Sequence, residues 1–413
     1  MRVLWLSHLI PYPPKAGVLL RAYYLLKAVA ERHTVDLVAF VQEPWLDALF
    51  ESREAGMMES EQALRAWCRS VTFLPIEKMQ RRHGQLITAA TSLVYPGGYM
   101  ARWLQGHVAD QTLAEIGASA AHDVVHFDTI ALAPFRRHFP QCRATLGHHN
   151  IESHMLLRRA QNATSPVKKA YFWQEGHRLR RYERRVSGDF DLHITCSDLD
   201  GERLRQIAPG VETRTVPNGV DSDYFQPRGV PEKPHSLIIV GTMNWYPNVD
   251  AVLFLLREIW PLAKRRVPDL TLDIVGTGAP PAVVELARAS PGVTLHGFVP
   301  EMRPMLEAAA LYICPIRDGG GTKLKILDAF AMAKCVLAHP VACEGIGVTS
   351  DENVVFADSA EQFAVQIETL LADPARRARI GSAARQLAGE SYSFAAIGAE
   401  FAGMLETLTS DGV

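Results

Sequence analysis

The sequence predicts an α/β protein of two Rossmann-like domains whose parallel sheets face a central cleft. Three observations predict it. The 413 residues exceed what one ordinary hydrophobic core serves. Short apolar runs alternate with longer helical patterns, as in βαβ units whose strands are covered on both faces. The alternation occurs twice, on either side of a Pro- and Gly-rich stretch, Pro209–Pro234, that has little periodicity and reads as the interdomain connection.

In chain order, the first apolar run stops at Ile10 and meets Pro11, Pro13, Pro14 and Lys15 without a small-residue cleavage site. It therefore reads as a buried strand, Val3–Leu6, and not as a secretory signal. An amphipathic helix, Leu19–Glu31, follows, then strands at Val35–Phe40, Val71–Leu74, Asp123–Phe127, Ala144–Leu146 and Leu192–Cys196. With residues 1–208 as the first domain, a second spans 235–394. Its strands are expected at Ser236–Val240, Leu270–Val275, Val293–Leu295, Leu311–Cys314, Cys335–Ala338 and Val354–Phe356. Its helices are expected at Val249–Arg266, Ala282–Ala289, Met302–Ala309, Leu324–Met332, Ala360–Leu371 and Pro374–Gly389. A last helix, Ala395–Leu408, suits either domain, and residues 395–413 are read as completing the first.

Composition narrows the function. Hydrophobic residues make up 48% and charged residues 21%, with a net charge of -2, so no global field draws the chain to nucleic acid. It carries no nucleic-acid module either. The six cysteines stand singly, most of them in apolar runs such as Leu311-Tyr312-Ile313-Cys314, which suits reduced thiols in a cytoplasm. No apolar stretch approaches the roughly 20 residues that cross a bilayer.

The most specific segment is Arg317-Asp318-Gly319-Gly320-Gly321-Thr322-Lys323-Leu324-Lys325-Ile326-Leu327-Asp328, between a strand and a helix. Gly319, Gly320 and Gly321 let the backbone approach a ligand, and their N–H groups join the free donors of the helix start. Such a place binds phosphate anions. Thr322 is the expected N-cap, and Lys323 and Lys325 add point charges for a diphosphate. Asp328 stands two turns in, where a carboxylate accepts ribose hydroxyls. The plainer alternative is a capped loop with solvated lysines.

In these residues the chain resembles a family 4 glycosyltransferase of the GT-B fold, of the branch with a Gly-rich basic donor loop. Supporting segments are Val216-Pro217-Asn218-Gly219-Val220-Asp221, Val240-Gly241, Leu272-Asp273-Ile274-Val275-Gly276-Thr277-Gly278 and Cys335-Val336-Leu337-Ala338. Their order and spacing are specific together and weak singly. The resemblance implies transfer of a sugar from a nucleoside diphosphate donor with retention of configuration, without a metal or other cofactor. It also implies a donor-binding second domain and an acceptor-binding first domain. Two departures stand out. Where many members carry an Arg and a Lys after the first strand of the second domain, this chain has Thr242 and Pro247. Where members carry two glutamates, it has Gly320 and Asp328. Lys323 and Lys325, with Arg317, are therefore read as the replacement cations.

The resemblance also implies that Gly17 faces the donor phosphates and that Gly297, Phe298 and Val299 contact the nucleotide base. Asn244, in the loop Gly241–Asn248, joins Arg317 as a possible base or sugar contact. Phe298 reads equally as core. Arg21 faces either the cleft or solvent. In Leu146-Gly147-His148-His149-Asn150-Ile151-Glu152, adjacent histidines of an extended segment point opposite ways. His149 is taken as the catalytic candidate and Glu152 as a lesser one, and zinc binding is set aside for want of a third ligand at usual spacing. Asp128 either lines the acceptor side or caps the next helix. Asp198 and Asp200 read as a helix start after Ser197, not a metal-binding pair.

The stretch 168–186 is basic, with Tyr171, Phe172 and Trp173 among eight basic or histidine side chains. It reads either as a peripheral contact with the inner face of a membrane or as a solvated helix paired with Glu175 and Glu183. The expected partners are a nucleotide sugar and a saccharide, lipid-linked or small-molecule acceptor. A GT-B epimerase or phosphorylase and a non-catalytic sugar-nucleotide-binding homologue are the competing classes.

Overall fold

In the computed structural model the apolar runs form two wholly parallel sheets. The structure describes residues 1–14, 17–80, 84, 87–88, 91, 97–163, 165–243, 245–319 and 322–410. The chain divides into two compact units, Met1–Pro217 with Ile397–Val413, and Asn218–Ala396.

The first unit holds β1 (Arg2–Ser7), β2 (Thr34–Val41), β3 (Ser70–Pro75), β4 (Val124–Phe127), β5 (Arg143–His148), β6 (Leu192–Thr195) and β7 (Thr213–Thr215). Their order is β3-β2-β1-β4-β5-β6-β7. Leu4, Leu6, Val125, Phe127 and Leu146 bury completely in the central strands, as a sheet covered on both faces requires. Each such side chain contributes roughly 1.5–3 kcal/mol. β7 lies inside the Pro/Gly-rich stretch read as the interdomain connection, where Thr213-Arg214-Thr215 pairs with β6. It is a short, polar edge strand, so no apolar periodicity announced it.

The second unit holds β8 (Lys233–Val240), β9 (Thr271–Val275), β10 (Val293–Gly297), β11 (Ala309–Cys314), β12 (Val336–Ala338) and β13 (Val355–Phe356), in the order β10-β9-β8-β11-β12-β13. The helix expected over 249–266 starts at Tyr246 and passes through a wide π turn, Leu255–Ile259, before Trp260–Arg266. Pro261 has no N–H to give, and the wider turn before it accommodates the break.

The last helix is Phe394–Ser410. Phe401 meets the Trp5 ring edge-on at 6.0 Å, and Glu406 pairs with Arg32 at 2.7 Å, so the helix closes over the first unit. All six cysteines are buried, and none forms a disulfide.

Candidate active site

In the first unit the carboxyl ends of β1, β4 and β5 bring Ser7, His8, Asp128 and His149 together. His8 Nδ1 lies 3.1 Å from one oxygen of Asp128, and His149 Nε2 lies 3.3 Å from the other. The Ser7 hydroxyl donates toward Asp128 at 3.4 Å. Burial works to raise the Asp128 carboxyl, but the adjoining His149 and His8 outweigh it and hold it well below its ordinary value. A fully interior carboxylate is thus kept charged by two imidazoles. The helix that follows has Thr129, not Asp128, at its capping position.

The two neighbouring histidines do point apart. His148 turns inward, its Nε2 3.0 Å from His193 Nδ1, while His193 Nε2 meets the Ser187 carbonyl at 3.0 Å. That carbonyl only accepts, so His193 carries its proton on Nε2 and takes one from His148. Burial pushes His148 well below its ordinary value, as befits a neutral core histidine. His126 is likewise internal, against Trp5 and Thr145, and burial lowers it to about 4.

The ligand atoms of His8, Asp128 and His149 all lie within 4.8 Å of one another. Sequence spacing offers no third ligand beside the adjacent histidines; in the fold His8 and Asp128 reach His149 from other strands, which spacing does not reveal. Two imidazoles and a carboxylate are a donor set that a divalent transition metal accepts. His8, directly after β1, is the residue sequence reasoning missed; its place at a strand end was the available signal.

Gly17 opens the helix Gly17–Ala30. Arg21 is buried, not solvated, and donates to the Pro217 carbonyl at 2.8 Å. Glu152 begins the helix Glu152–Asn162, where burial, with Glu183 adding its charge, pushes it up to about 7. Ser197 caps the next helix by accepting from Asp200 N.

In the second unit the loops after β8, β9, β10 and β11 gather at the carboxyl ends of the strands. Gly241 N donates to Val275 O, and Gly276 N donates to Gly297 O, both at 2.9 Å. Gly276 has φ +152°, and a Cβ there would sit 1.9 Å from the Gly241 carbonyl. A Cβ on Gly241 would lie 2.7 Å from Lys325 Nζ. Only glycine permits this approach of two backbones and an ammonium.

Lys325 lies in the first turn of the helix Leu324–Ala331 and donates to Asn248 Oδ1. Asn248 in turn donates to Thr242 O at 2.8 Å. Burial lowers Lys325, which Cys314 and Asp328 partly offset. Asp328, three residues on and on the same helix face, is pushed up by burial to about 7, with Lys325 pulling it down. Lys323 is buried, and its Nζ donates to the Gly319 carbonyl at 3.1 Å.

Thr322 is not the N-cap; that position is Lys323, which makes no capping bond. Among the described residues the Thr322 hydroxyl is buried without a hydrogen-bond partner. Two ammonium groups, a glycine at φ +108° and an uncapped helix start are the chemistry of an anion site. Gly320, Gly321 and Asn244 lie outside the described residues.

Residues 234–373 match the family model "Glycosyl transferases group 1". Over its whole length the chain is similar to sucrose-phosphate synthase from Thermosynechococcus elongatus, with a TM-score of 0.69, 16% identity and all of both chains covered. It is also similar to Anabaena Alr3699/HepE, crystallised with UDP and glucose, at a TM-score of 0.64 and 16% identity, over 98% of this chain and 100% of that one.

The fold is GT-B. A curated relative, the GDP-mannose-dependent alpha-(1-6)-phosphatidylinositol monomannoside mannosyltransferase of Mycolicibacterium smegmatis, is 24% identical over 348 residues, 74% of this chain and 89% of that protein. Another, an uncharacterised 44.6 kDa protein in the cps region of Klebsiella pneumoniae, is 23% identical over 53% of this chain and 57% of its own length. These matches support a glycosyltransferase function. Within the GT-B frame, Arg317 is committed elsewhere: it pairs with Asp250 at 3.2 Å and stacks 3.9 Å over the Phe254 ring. Gly297 has φ +68° and ends β10. Phe298 is 73% exposed, which removes the core reading, while Val299 packs on the unit's core.

Proposed function

We propose that the chain moves a glycosyl group from a nucleoside diphosphate sugar to an acceptor hydroxyl in polysaccharide or glycoconjugate synthesis. The observation that carries this is the segment Gly319–Asp328, set after β11 inside the matched glycosyl transferase domain, with Lys323 and Lys325 built into its polar node. Donor binding is further supported by the UDP and glucose of the HepE structure, and the acceptor class by the mannosyltransferase and cps-region relatives.

In this reading the second unit holds the donor. Its diphosphate rests on Gly319–Lys325, Asp328 serves the ribose, and the exposed Phe298 offers a flat face to the base. The carbon–oxygen bond to the diphosphate breaks and its electron pair leaves on phosphate, whose new charge Lys323 and Lys325 stabilise. The acceptor oxygen bonds to the anomeric carbon with retention, and its proton passes to the leaving phosphate. No catalytic carboxylate pair or metal is then required. His149, joined to His8 through Asp128, contacts acceptor hydroxyls on the first unit. A saccharide acceptor ranks first, free or lipid-linked, and a small natural product second.

The test is product analysis across common nucleotide sugars, preceded by a thermal-shift screen for the donor. Diphosphate nucleotide released only with acceptor, and a product of retained anomeric configuration by NMR, is the expected result. If no nucleotide sugar stabilises the protein and none is consumed, the reading fails.

A further inference from the structure

The helix Pro166–Val186 does not carry its acids where sequence placed them. Glu175 and Glu183 are the helix's only carboxylates, and both are buried. Glu175 accepts from Tyr99 N at 2.9 Å, and Glu183 accepts from the N–H and hydroxyl of Ser153. Leu179, Tyr182 and Val186 share that inward face. The outward face is therefore left without a carboxylate of its own. It carries Lys169, Arg180, Arg181, Arg184 and Arg185, all exposed, as is Lys168 at the helix start, and among the described residues none of the six has an ion pair.

The same face exposes apolar groups at its first half. Val167 is 79% and Trp173 is 59% exposed, and Tyr171 lies outward beside them. At 100° per residue, Val167, Tyr171, Trp173, Arg181, Arg184 and Arg185 fall on one continuous side of a rod about 30 Å long. Where the helix ends, a hollow of about 660 Å³ opens between it and the segment Ala133–Pro140, lined by Arg136, Arg137, Tyr182, Arg185 and Asp189. In that hollow Arg137 pairs with Asp110 and Asp189 adds a carboxylate, while Arg136 gives its guanidinium to the carbonyls of Asp189, Phe139 and Cys142, so among the described residues Arg136 and the helix's Arg185 are the cations without an ion pair there.

We infer that this face of the first unit docks on an anionic lipid bilayer, with Val167, Tyr171 and Trp173 entering the interface and the arginine end, with its hollow, receiving lipid phosphates. A row of cations uncompensated by acids, continuous with exposed aromatics, complements such a surface in both charge and polarity. A solvated helix has no need to turn both of its acids inward. The docking is independent of the donor and does not rest on the proposed transfer.

The experiment is sedimentation of the full chain with vesicles of phosphatidylcholine alone, and of phosphatidylcholine with a one-third share of phosphatidylglycerol. Binding is expected to the anionic vesicles only and to be released by high salt, because exposed charges are screened. Each cation near such a surface is worth roughly fivefold in partition. Replacing Arg180, Arg181, Arg184 and Arg185 by Gln should therefore weaken binding by more than about 100-fold. These side chains are exposed, so circular dichroism should be unchanged, and Trp173→Ala should cause a smaller loss. Failure of the wild-type chain to bind anionic vesicles would overturn the inference. So would equal binding to neutral vesicles, full retention by the quadruple variant, or complete competition by soluble glycerol phosphate.

Discussion

Replacing Lys325 by Met removes one ammonium from the polar node while keeping a flexible apolar stem of similar length. Lys325 bonds Asn248 and shares a helix face with Asp328, whose carboxyl lies at about 7 against an ordinary 3.8. That gap of about three units corresponds to about 4 kcal/mol as a ceiling on the cost of ionising Asp328 in place. Without the Lys325 charge the carboxyl rises further and takes up a proton at neutral pH, so the variant escapes a bare buried anion. Removal also lifts the burial penalty on the ammonium itself. The melting temperature should therefore change by only a few degrees. Turnover should not be spared, because a cation aimed at a developing phosphate charge is worth about 100- to 1,000-fold in kcat. Steady-state kinetics with the donor identified by the screen, beside thermal melts at pH 6 to 8.5, separate the two effects. A variant that melts as expected yet transfers at full rate would show that Lys325 only braces Asn248, and would refute the diphosphate assignment.

Four further outcomes follow. Asp128→Asn leaves His8 and His149 without their shared carboxylate and should lower acceptor-side kcat/KM at least about tenfold with donor affinity unchanged. Its folded carboxyl is depressed, so wild-type Asp128 stabilises the protein above its ordinary value and loses that effect as pH falls from there through the lower folded value; the variant should lose about 3–5 kcal/mol at neutral pH and converge with wild type in strong acid. Glu152 has the opposite sign: raised from 4.5 to about 7, it makes the protein less stable as pH climbs through that window, so Glu152→Gln should raise the melting temperature at pH 8 and not at pH 4.5. Gly276→Ala should yield little soluble protein, given its φ of +152° and a Cβ placed 1.9 Å from a carbonyl oxygen. Chelation by EDTA should leave transfer unchanged; a loss restored by zinc, and abolished in His8→Ala, would instead put a metal on His8, Asp128 and His149.

The sheets were legible because their central strands are buried on both faces. Runs such as Val3–Leu6, Leu192–Cys196 and Leu311–Cys314 leave little else to be. β7 was not legible, since Thr213-Arg214-Thr215 pairs along one edge and buries little. Lys323, Lys325 and Asp328 were legible as a motif, yet not their setting: that Asn248 receives Lys325 depends on the start of the helix Tyr246–Phe254 meeting the start of Leu324–Ala331. His8 and Asp128 stand 120 residues apart, and adjacent parallel strands bring them together. Local reading pairs Glu175 and Glu183 with neighbouring cations; tertiary packing turned both inward.

Chain connectivity gives the final helix a consequence for dissection. The chain leaves the first unit at Pro217 and returns to it at Ile397, so the second unit is an insertion within the first. Residues 218–396 are one continuous segment and form a natural excision product. Residues 1–217 are not: without the returning helix, Trp5 loses Phe401 and Arg32 loses Glu406. A truncation from Phe401 onward, thirteen residues, would thus be felt at the first strand, at the opposite end of the polypeptide.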